Sequence, residues 1–543
     1  MAKGNSGIKV YTRQVDKRCY PEGLANSIHF SCSLNGGEFR PFNKNYGILF
    51  AEAEIRPDNT IYPKGIKDPG LVILDEGYYG IVGSRINENG DEDDTCIGKI
   101  LLWKTKNFID FDYIGLVPKE ELKGKIISDT VEVDSDLCKT AIQYWNPICS
   151  TSVYVPGRIE VHSKQDMDCI SATVTYSDGS IVNKKIAWDL EAINFSVPGE
   201  YEVSGRVISR KYKFPLAKGY GDPVIFYWDN KWYYISTNDN LDDIGLYVRE
   251  ADTVEELFDE DVVEHLILPL DESRQLVQTF WAPEFHVIGG ELYILFAVSG
   301  NIWGPQCHMM KLKKGCSIIE ADSWENPVRI KRKNGDWLAQ DGITLDMTYF
   351  KAAEKSYVVW SYRENIGTPM DTGSMLYIAT IDEKEPWMLT SEPVLLSRPL
   401  YGWENVEGTI NNEGPYAFLK NDVVYLTYSG GAANGYTYAL GLLTAKIEDD
   451  LLKKSSWFKR STPVLSFYSV KGEYGPGHNS FYKSEDNDLM IAYHAEMAID
   501  EHLRCDAIRR VHFRKDGTPD FAISAEADFD DSLINISTRI SIS

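Results

Sequence analysis

The chain has 543 residues and a formal net charge of −25, with 43% hydrophobic and 12% aromatic residues. That length predicts roughly three or four domains, and the composition is that of a globular protein able to bury a core. The acidic balance excludes nucleic acid and anionic membrane as partners, because both select basic surfaces, and leaves a neutral substrate as the better fit. The 32 Tyr and 13 Trp favour β structure and flat, sugar-like ligands. The opening residues, Met1-Ala2-Lys3-Gly4-Asn5-Ser6-Gly7, lead into no apolar run of signal-peptide length. No later stretch approaches the roughly 20 apolar residues of a membrane span, so a soluble, cytoplasmic protein is expected. The nine cysteines are odd in number, widely spaced and free of any Cys-x-x-Cys pair, so reduced, mostly buried thiols are expected.

Residues 1–125 read as β-rich, with strands at Ile28-His29-Phe30-Ser31-Cys32-Ser33-Leu34 and Gly47-Ile48-Leu49-Phe50-Ala51. Asp68-Pro69 then precedes two further strands. From 126 to 207 the strands become short and alternating: Ala172-Thr173-Val174-Thr175-Tyr176, a Ser177-Asp178-Gly179 turn, and Glu200-Tyr201-Glu202-Val203 after Pro198-Gly199. This spacing predicts a small β-sandwich and resembles bacterial immunoglobulin-like modules.

From 208 to 525 a repeat emerges. Five times an acidic or imidazole residue opens an apolar strand: Asp222-Pro223-Val224, Glu284-Phe285-His286, Asp346-Met347-Thr348, Glu413-Gly414-Pro415 and His478-Asn479-Ser480. By subtraction the intervals are 62, 62, 67 and 65 residues. Each opening is followed by a polar turn and a more aromatic second strand, such as Trp232-Tyr233-Tyr234 or Tyr357-Val358-Val359-Trp360. A period of this length, in units that cannot bury their own faces, predicts a five-bladed β-propeller. Residues 526–543 then form a tail or a closing strand, and the fold class is all-β. In a propeller the first strand of each blade lines the central channel, so two Asp, two Glu and one His converge on one axis. Holding like charges together costs stability, which points to chemistry rather than architecture.

Paired carboxylates without phosphate loops, serine elbows or zinc spacing suit cleavage of an acetal, one acid protonating the leaving oxygen and one base activating water. The repeat resembles glycoside hydrolase family 43, the five-bladed inverting arabinofuranosidases, xylosidases and arabinanases. The likeness rests on Gly221-Asp222-Pro223, Trp281-Ala282-Pro283-Glu284, Leu345-Asp346-Met347-Thr348, Asn412-Glu413-Gly414-Pro415 and Gly475-Pro476-Gly477-His478-Asn479-Ser480. It implies Asp222 as general base, Glu413 as general acid and Asp346 as the residue that orients the acid and tunes its pKa. Inversion implies carboxyls of Asp222 and Glu413 roughly 6.5 to 9.5 Å apart. Glu404 and Glu407 are rivals to Glu413 in the same acidic loop, Asp341 is a rival to Asp346, and Asp68 imitates the base.

For the sugar, Trp281, Trp303 and Trp403 offer flat apolar rings. Glu284 is expected as a hydrogen-bonding channel residue, and Arg504 as the arginine that the family points at its substrate, with Arg509 and Arg510 as alternatives. The resemblance also implies a calcium ion at the axis, held partly through water beside His478. No redox or organic cofactor is required. The expected activity is release of pentose from short arabinose- or xylose-containing oligosaccharides, α-L-arabinofuranosidase first and β-xylosidase second. A non-catalytic carbohydrate-binding propeller is the reading from another class.

Overall fold

The computed structural model describes residues 5–543, the side chain of Glu407 excepted. Contacts divide the chain into two compact units. The first comprises Met1–Trp145, Phe214–Tyr482 and Ala492–Ala507; the second comprises Asn146–Lys213, Lys483–Ile491 and Ile508–Ser543.

Five consecutive antiparallel sheets form the propeller. Blade I is Tyr220–Trp228, Lys231–Asn238, Leu246–Ala251 and His265–Leu268, and blade II is Gln278–Ile288, Glu291–Ser299, Gln306–Lys311 and Val328–Arg329. Blade III is Ile343–Ala352, Lys355–Arg363, Met375–Ile381 and Val394–Ser397, and blade IV is Asn412–Lys420, Val423–Gly430, Ala439–Lys446 and Phe458–Lys459. Blade V has three strands, Tyr474–Lys483, Leu489–Glu496 and Cys505–Arg510. Its missing strand is supplied from upstream of blade I. The Leu216 N–H donates to the Asp506 carbonyl (2.9 Å), the Asp506 N–H to that of Ala217 (3.0 Å) and the Gly219 N–H to that of Arg504 (2.8 Å). This pairing closes the ring and leaves no open edge there. Apolar residues between blades, such as Phe285, Phe296 and Met310, form the inter-blade core.

The first strands of blades I to IV each carry the same two-against-one bulge. Register is lost between Gly221 and Val224, Trp281 and Glu284, Leu345 and Thr348, and Glu413 and Tyr416. The bulged residues have positive φ: Asp222 59°, Ala282 45°, Asp346 55° and Gly414 55°, with His478 at 43° in blade V. The repeat therefore opens at 222, 282, 346, 414 and 478, intervals of 60, 64, 68 and 64; Asp222, Asp346 and His478 are as expected from the sequence, whereas Ala282 and Gly414 stand where Glu284 and Glu413 were expected. Glu413 lies one residue before its blade's bulge and Glu284 two residues after. A bulge re-aims side chains at the rim of a sheet, and here the bulged residue or the one before it faces the cleft in every blade, both doing so in blade III.

Residues 5–145 pack within the same unit. They form a sheet of Thr130–Val133, Ser6–Tyr11, His29–Ser33 and Arg40–Pro41, and a second of Ile127–Ser128, Lys64–Ile73, Tyr79–Asn87, Lys99–Thr105 and Asp112–Pro118. Asp68 sits in a bulge of the blade type (φ 49°, register lost between Lys67 and Gly70) but is exposed. Tyr20, Leu24, Tyr46 and Phe50 share a core with Trp403, Leu426 and Tyr428 of the blade IV region. The expected reduced thiols need correction, since Cys32 on a strand and Cys138 on the helix Ser135–Trp145 form a disulfide. Cys149, Cys169 and Cys316 are exposed, not buried.

The second unit is a β-sandwich of a three-stranded sheet (Ser150–Tyr154, Ala172–Tyr176, Ile181–Lys184) and a four-stranded one (Arg158–Val161, Asn535–Ile542, Gly199–Val207, Ile186–Trp188). The final strand, Asn535–Ile542, pairs with Gly199–Val207 along eight residues. The sandwich thus begins near 146 rather than 126, and it takes in residues 508–543, which the sequence had divided between propeller and tail.

Candidate active site

The cleft at the open face of the propeller has a volume of 560 Å³, within the range of small-ligand sites. Asp222, Asp346 and His478 from bulge positions line it, as do Trp281, Leu345 and Glu413 from the positions just before. A bulge frees a backbone N–H from its ladder, and a buried N–H must find another acceptor. Here the acceptor comes from the neighbouring blade. The Asp222 N–H donates to His494 Nδ1 (3.2 Å), the Ala282 N–H to Thr237 Oγ1 (2.9 Å), the Gly414 N–H to Asp346 Oδ2 (3.0 Å) and the His478 N–H to Ser429 Oγ (2.7 Å). These bonds lock strained backbone around the cleft rim, where pre-organisation is useful.

Asp222 is the most heavily paired carboxylate of the cleft. Its Oδ1 lies 3.0 Å from Arg504 Nη1 and 3.0 Å from His478 Nδ1, and its Oδ2 accepts from Thr237 Oγ1 at 2.5 Å. Burial works to raise its pKa, but Arg504 and His478 outweigh that and hold the carboxyl well below the usual range. His494 is a second neighbour at 3.4 Å. Its Nδ1 accepts from the Asp222 N–H and its Nε2 donates to the Ala433 carbonyl (3.0 Å), which makes it the neutral Nε2–H tautomer.

Glu413 and Asp346 behave oppositely. Burial raises both; each is raised further by the Asp222 charge, and Asp346 also by Glu413. Tyr438 donates its hydroxyl to Glu413 Oε1 at 2.9 Å, and the Gly414 N–H donates to Asp346. Burial also disfavours the charged form of His478, yet Asp222 and Asp346 push its pKa up to about 10, so it is an imidazolium at neutral pH. The cleft thus holds one ionised carboxylate, a pair biased toward sharing a proton, and a buried cation.

Two glycines permit this packing. A Cβ on Gly221 would stand 2.1 Å from the Arg504 guanidinium carbon, so only glycine lets Arg504 lie across the strand to reach Asp222. A Cβ on Gly414 would stand 2.8 Å from the His478 ring, at a residue whose φ is already +55°.

The sequence pattern of glycosyl hydrolases family 43 matches residues 212–519. The chain belongs to that family. Residues 171–209 match the bacterial Ig-like domain (group 4). The chain is 32% identical over 321 residues to an extracellular exo-α-(1→5)-L-arabinofuranosidase of Streptomyces avermitilis, a match covering 57% of this chain and 63% of that protein. It is 31% identical over 305 residues to the protein of that name from Streptomyces chartreusis, covering 55% and 86%. Among solved structures, an α-L-arabinofuranosidase from Lactobacillus brevis superposes with a TM-score of 0.51 at 28% identity, covering 59% of this chain and 98% of that one. The chain thus matches less than two thirds of the length of the Streptomyces avermitilis relative. The cytoplasmic expectation is overturned, because both Streptomyces relatives are named extracellular.

The family 43 propeller sorts the residues singled out from sequence. Arg504 and Trp281 line the cleft with Asp222, Asp346 and Glu413, and Trp281 Nε1 donates to Asp243 Oδ2 at 2.8 Å. Trp403, expected at the sugar, is instead fully buried, its Nε1 donating to the Ser461 carbonyl. Trp303 packs against the His308 ring and beneath the Arg329 guanidinium, outside the cleft. Glu284 does not line the cleft; it is buried against His286 Nε2 at 2.6 Å, as its place two residues beyond the bulge dictates. Glu404 is fully buried and paired to Lys459 (2.6 Å), a structural role, while the Glu407 side chain lies outside the described residues. Asp341 is exposed. Arg510 is buried against Asp528 in the second unit.

Sequence reasoning missed Asp239, Asp243, Asn411, Tyr438, His494 and His502. The acidic run 239–243 directly after a blade's second strand was a usable signal. The others had none: Asn411 and Tyr438 come from the blade IV region and His494 and His502 from blade V, at positions that no local pattern marks.

The residues around His478 do not form a direct cage for calcium, a hard ion that needs several open oxygen ligands. Both Asp222 oxygens and one of Asp346 are engaged by protein donors. Among the described residues no group of three or more His, Cys, Asp or Glu is placed to hold a metal. Among the described residues the nearby first strands add two buried neutral oxygens without partners, Asn479 Oδ1 and Thr348 Oγ1.

Proposed function

We propose that this protein is an inverting, exo-acting glycoside hydrolase that releases arabinose from short arabinose-containing oligosaccharides, an α-L-arabinofuranosidase. The observation that carries the reading is one cleft holding two carboxyl groups with opposite proton bias, Asp222 held ionised and Glu413 held toward its acid form. That is the division of labour between a base and an acid acting on one glycosidic bond. Asp222 takes a proton from water as the water attacks the anomeric carbon, and Glu413 gives its proton to the departing oxygen. The attacked carbon inverts, Asp222 ends protonated and Glu413 ionised, and exchange with solvent resets both. Asp346 acts through Glu413: it accepts from the Gly414 N–H and so fixes the residue next to the acid, and burial together with Glu413 and Asp222 pushes its own carboxyl up to about 8, so that the two carboxyls share a proton. Arg504 holds Asp222 as the anion, and Trp281 offers an apolar ring to the sugar. The roughly 30% identity to exo-acting arabinofuranosidases supports the choice of arabinose.

The test is proton NMR of a chromogenic α-L-arabinofuranoside during hydrolysis. The first product formed is expected to be the β-anomer; the α-anomer would refute inversion. No release of pentose from arabinoside or xyloside by the folded protein would refute the activity, and release from the xyloside alone would replace arabinose with xylose.

A further inference from the structure

A second cavity, of 250 Å³, lies where the N-terminal β region meets blade IV, and the residues lining it come from both. We propose that it is a carbohydrate-binding site separate from the catalytic cleft, taking one or two units of a neutral oligosaccharide.

The wall is aromatic: Trp103, Phe111 and Tyr113 from the N-terminal sheets, Tyr401 and Phe458 from the propeller. Trp103 is buried, and Tyr113 lies against it with ring centroids 5.2 Å apart and planes 33° from parallel. Tyr113 is nevertheless 41% exposed and Phe458 64% exposed, so two large rings stand in water beside a cavity they do not fill. Scattered exposed aromatics need no explanation, but rings grouped around a cavity with polar groups do. Flat apolar faces with a polar rim match the C–H faces and hydroxyls of a sugar ring.

Besides Lys459 and Ser461, whose hydroxyl donates to the Ile48 carbonyl, the polar groups lining the cavity are two carboxylates, the exposed Asp112 and the deeper Glu52. Glu52 is half-buried in the cavity lining, and among the described residues its carboxylate receives no hydrogen bond and forms no ion pair. A half-buried carboxylate with open lone pairs is ready to accept from hydroxyls. Lys459 borders the cavity but is committed elsewhere, donating to the Arg398 carbonyl (2.7 Å) and pairing with Glu404 (2.6 Å). The cavity therefore offers no free cation to an anionic sugar. Burial pushes the Glu52 carboxyl above its usual range in spite of Lys459 and Lys454, which disfavours the charged form that a cationic ligand would need. A neutral sugar matches what remains.

The experiment uses the full chain carrying Glu413→Gln, to suppress turnover, titrated calorimetrically with arabino-, xylo- and cello-oligosaccharides. Tyr113→Ala, Phe458→Ala and Glu52→Gln are then added singly, each checked by its melting curve. Both aromatic rings are solvent-facing, and Glu52→Gln keeps the shape of the side chain, so at least one variant remains folded. Two classes of site are expected for at least one oligosaccharide, the second weakened at least about fivefold by these substitutions. In the otherwise native chain the same substitutions should leave hydrolysis of a small chromogenic glycoside unchanged. A single class of site, or a second class indifferent to all three substitutions, overturns the proposal. Because the readout is binding, it stands even if the native chain releases no pentose, which would refute only the activity proposed above.

Discussion

Gly221→Ala isolates the role of Arg504 without touching a charged residue. Gly221 does not have a positive φ, so alanine meets no backbone strain there, and its entropic effect is stabilising by about 0.4–1 kcal/mol. The new methyl would stand 2.1 Å from the Arg504 Cζ and Nη1, whereas ordinary contact begins at 3.4 Å. The guanidinium must retreat by about 1.3 Å, which carries Nη1 from 3.0 Å to beyond hydrogen-bonding reach of Asp222 Oδ1. Asp239, which holds the other face of Arg504, gives it somewhere to go. A hydrogen bond between charged groups contributes about 1.5–3 kcal/mol, equivalent to about one to two pH units on the ionisation of Asp222. A depressed pKa keeps the base ionised at low pH, so its loss moves the acidic limb of the kcat/KM profile upward. The assay is kcat/KM for a chromogenic arabinoside across pH, with a melting curve on the same protein. The expected result is an acidic limb raised by about one to two pH units and a lower Tm at neutral pH, because the lost charged hydrogen bond outweighs the entropic gain of about 0.4–1 kcal/mol. An unchanged profile in a folded variant would refute the claim that Arg504 holds Asp222 as the anion.

Glu413→Gln should lower kcat by about 10²–10⁴-fold, with a smaller loss on aryl arabinosides whose acidic leaving groups need no proton; equal losses on both would argue against its role as acid. Glu404→Gln should do the reverse, leaving the activity of the folded protein near native but costing about 3–5 kcal/mol, because Lys459 is left buried without its partner; denaturant melts measure this. Tyr438→Phe removes a donor that favours ionised Glu413, so the basic limb of the profile should move to higher pH, and a downward shift would contradict the assignment. His478 is raised in the folded state to about 10, so its contribution is full below about pH 6.5 and is lost as pH rises through 10. Tm should therefore fall across that window, and His478→Asn should flatten the fall.

The repeat was legible because a propeller blade is a local object: each meander lies within about 60 residues, and its apolar and aromatic strands carry the period. The blade count and the convergence of Asp222, Asp346 and Glu413 on one cleft follow from that period. Blade equivalence was misread at two places. The sequence aligns acidic residues with one another, whereas the backbone aligns bulges, and Ala282 and Gly414 occupy the bulges without a charge to mark them. The tryptophans show the same limit. Trp281 and Trp403 look alike as letters, but one precedes a bulge and the other fills a core shared with Tyr20 and Tyr46, more than 350 positions away.

By itself, then, the sequence determined the all-β class, the five-fold repeat and the family, since these rest on patterns within a strand or between neighbouring strands. Tertiary structure alone decided what keeps Asp222 ionised, because that depends on Arg504 reaching it across the closure of the ring, 282 residues apart in the chain. It also decided that the last strand, Asn535–Ile542, belongs to the sandwich begun near residue 146. Charge balance and strand partnership are set by neighbours in space, and a reading along the chain cannot see which distant residues those neighbours are.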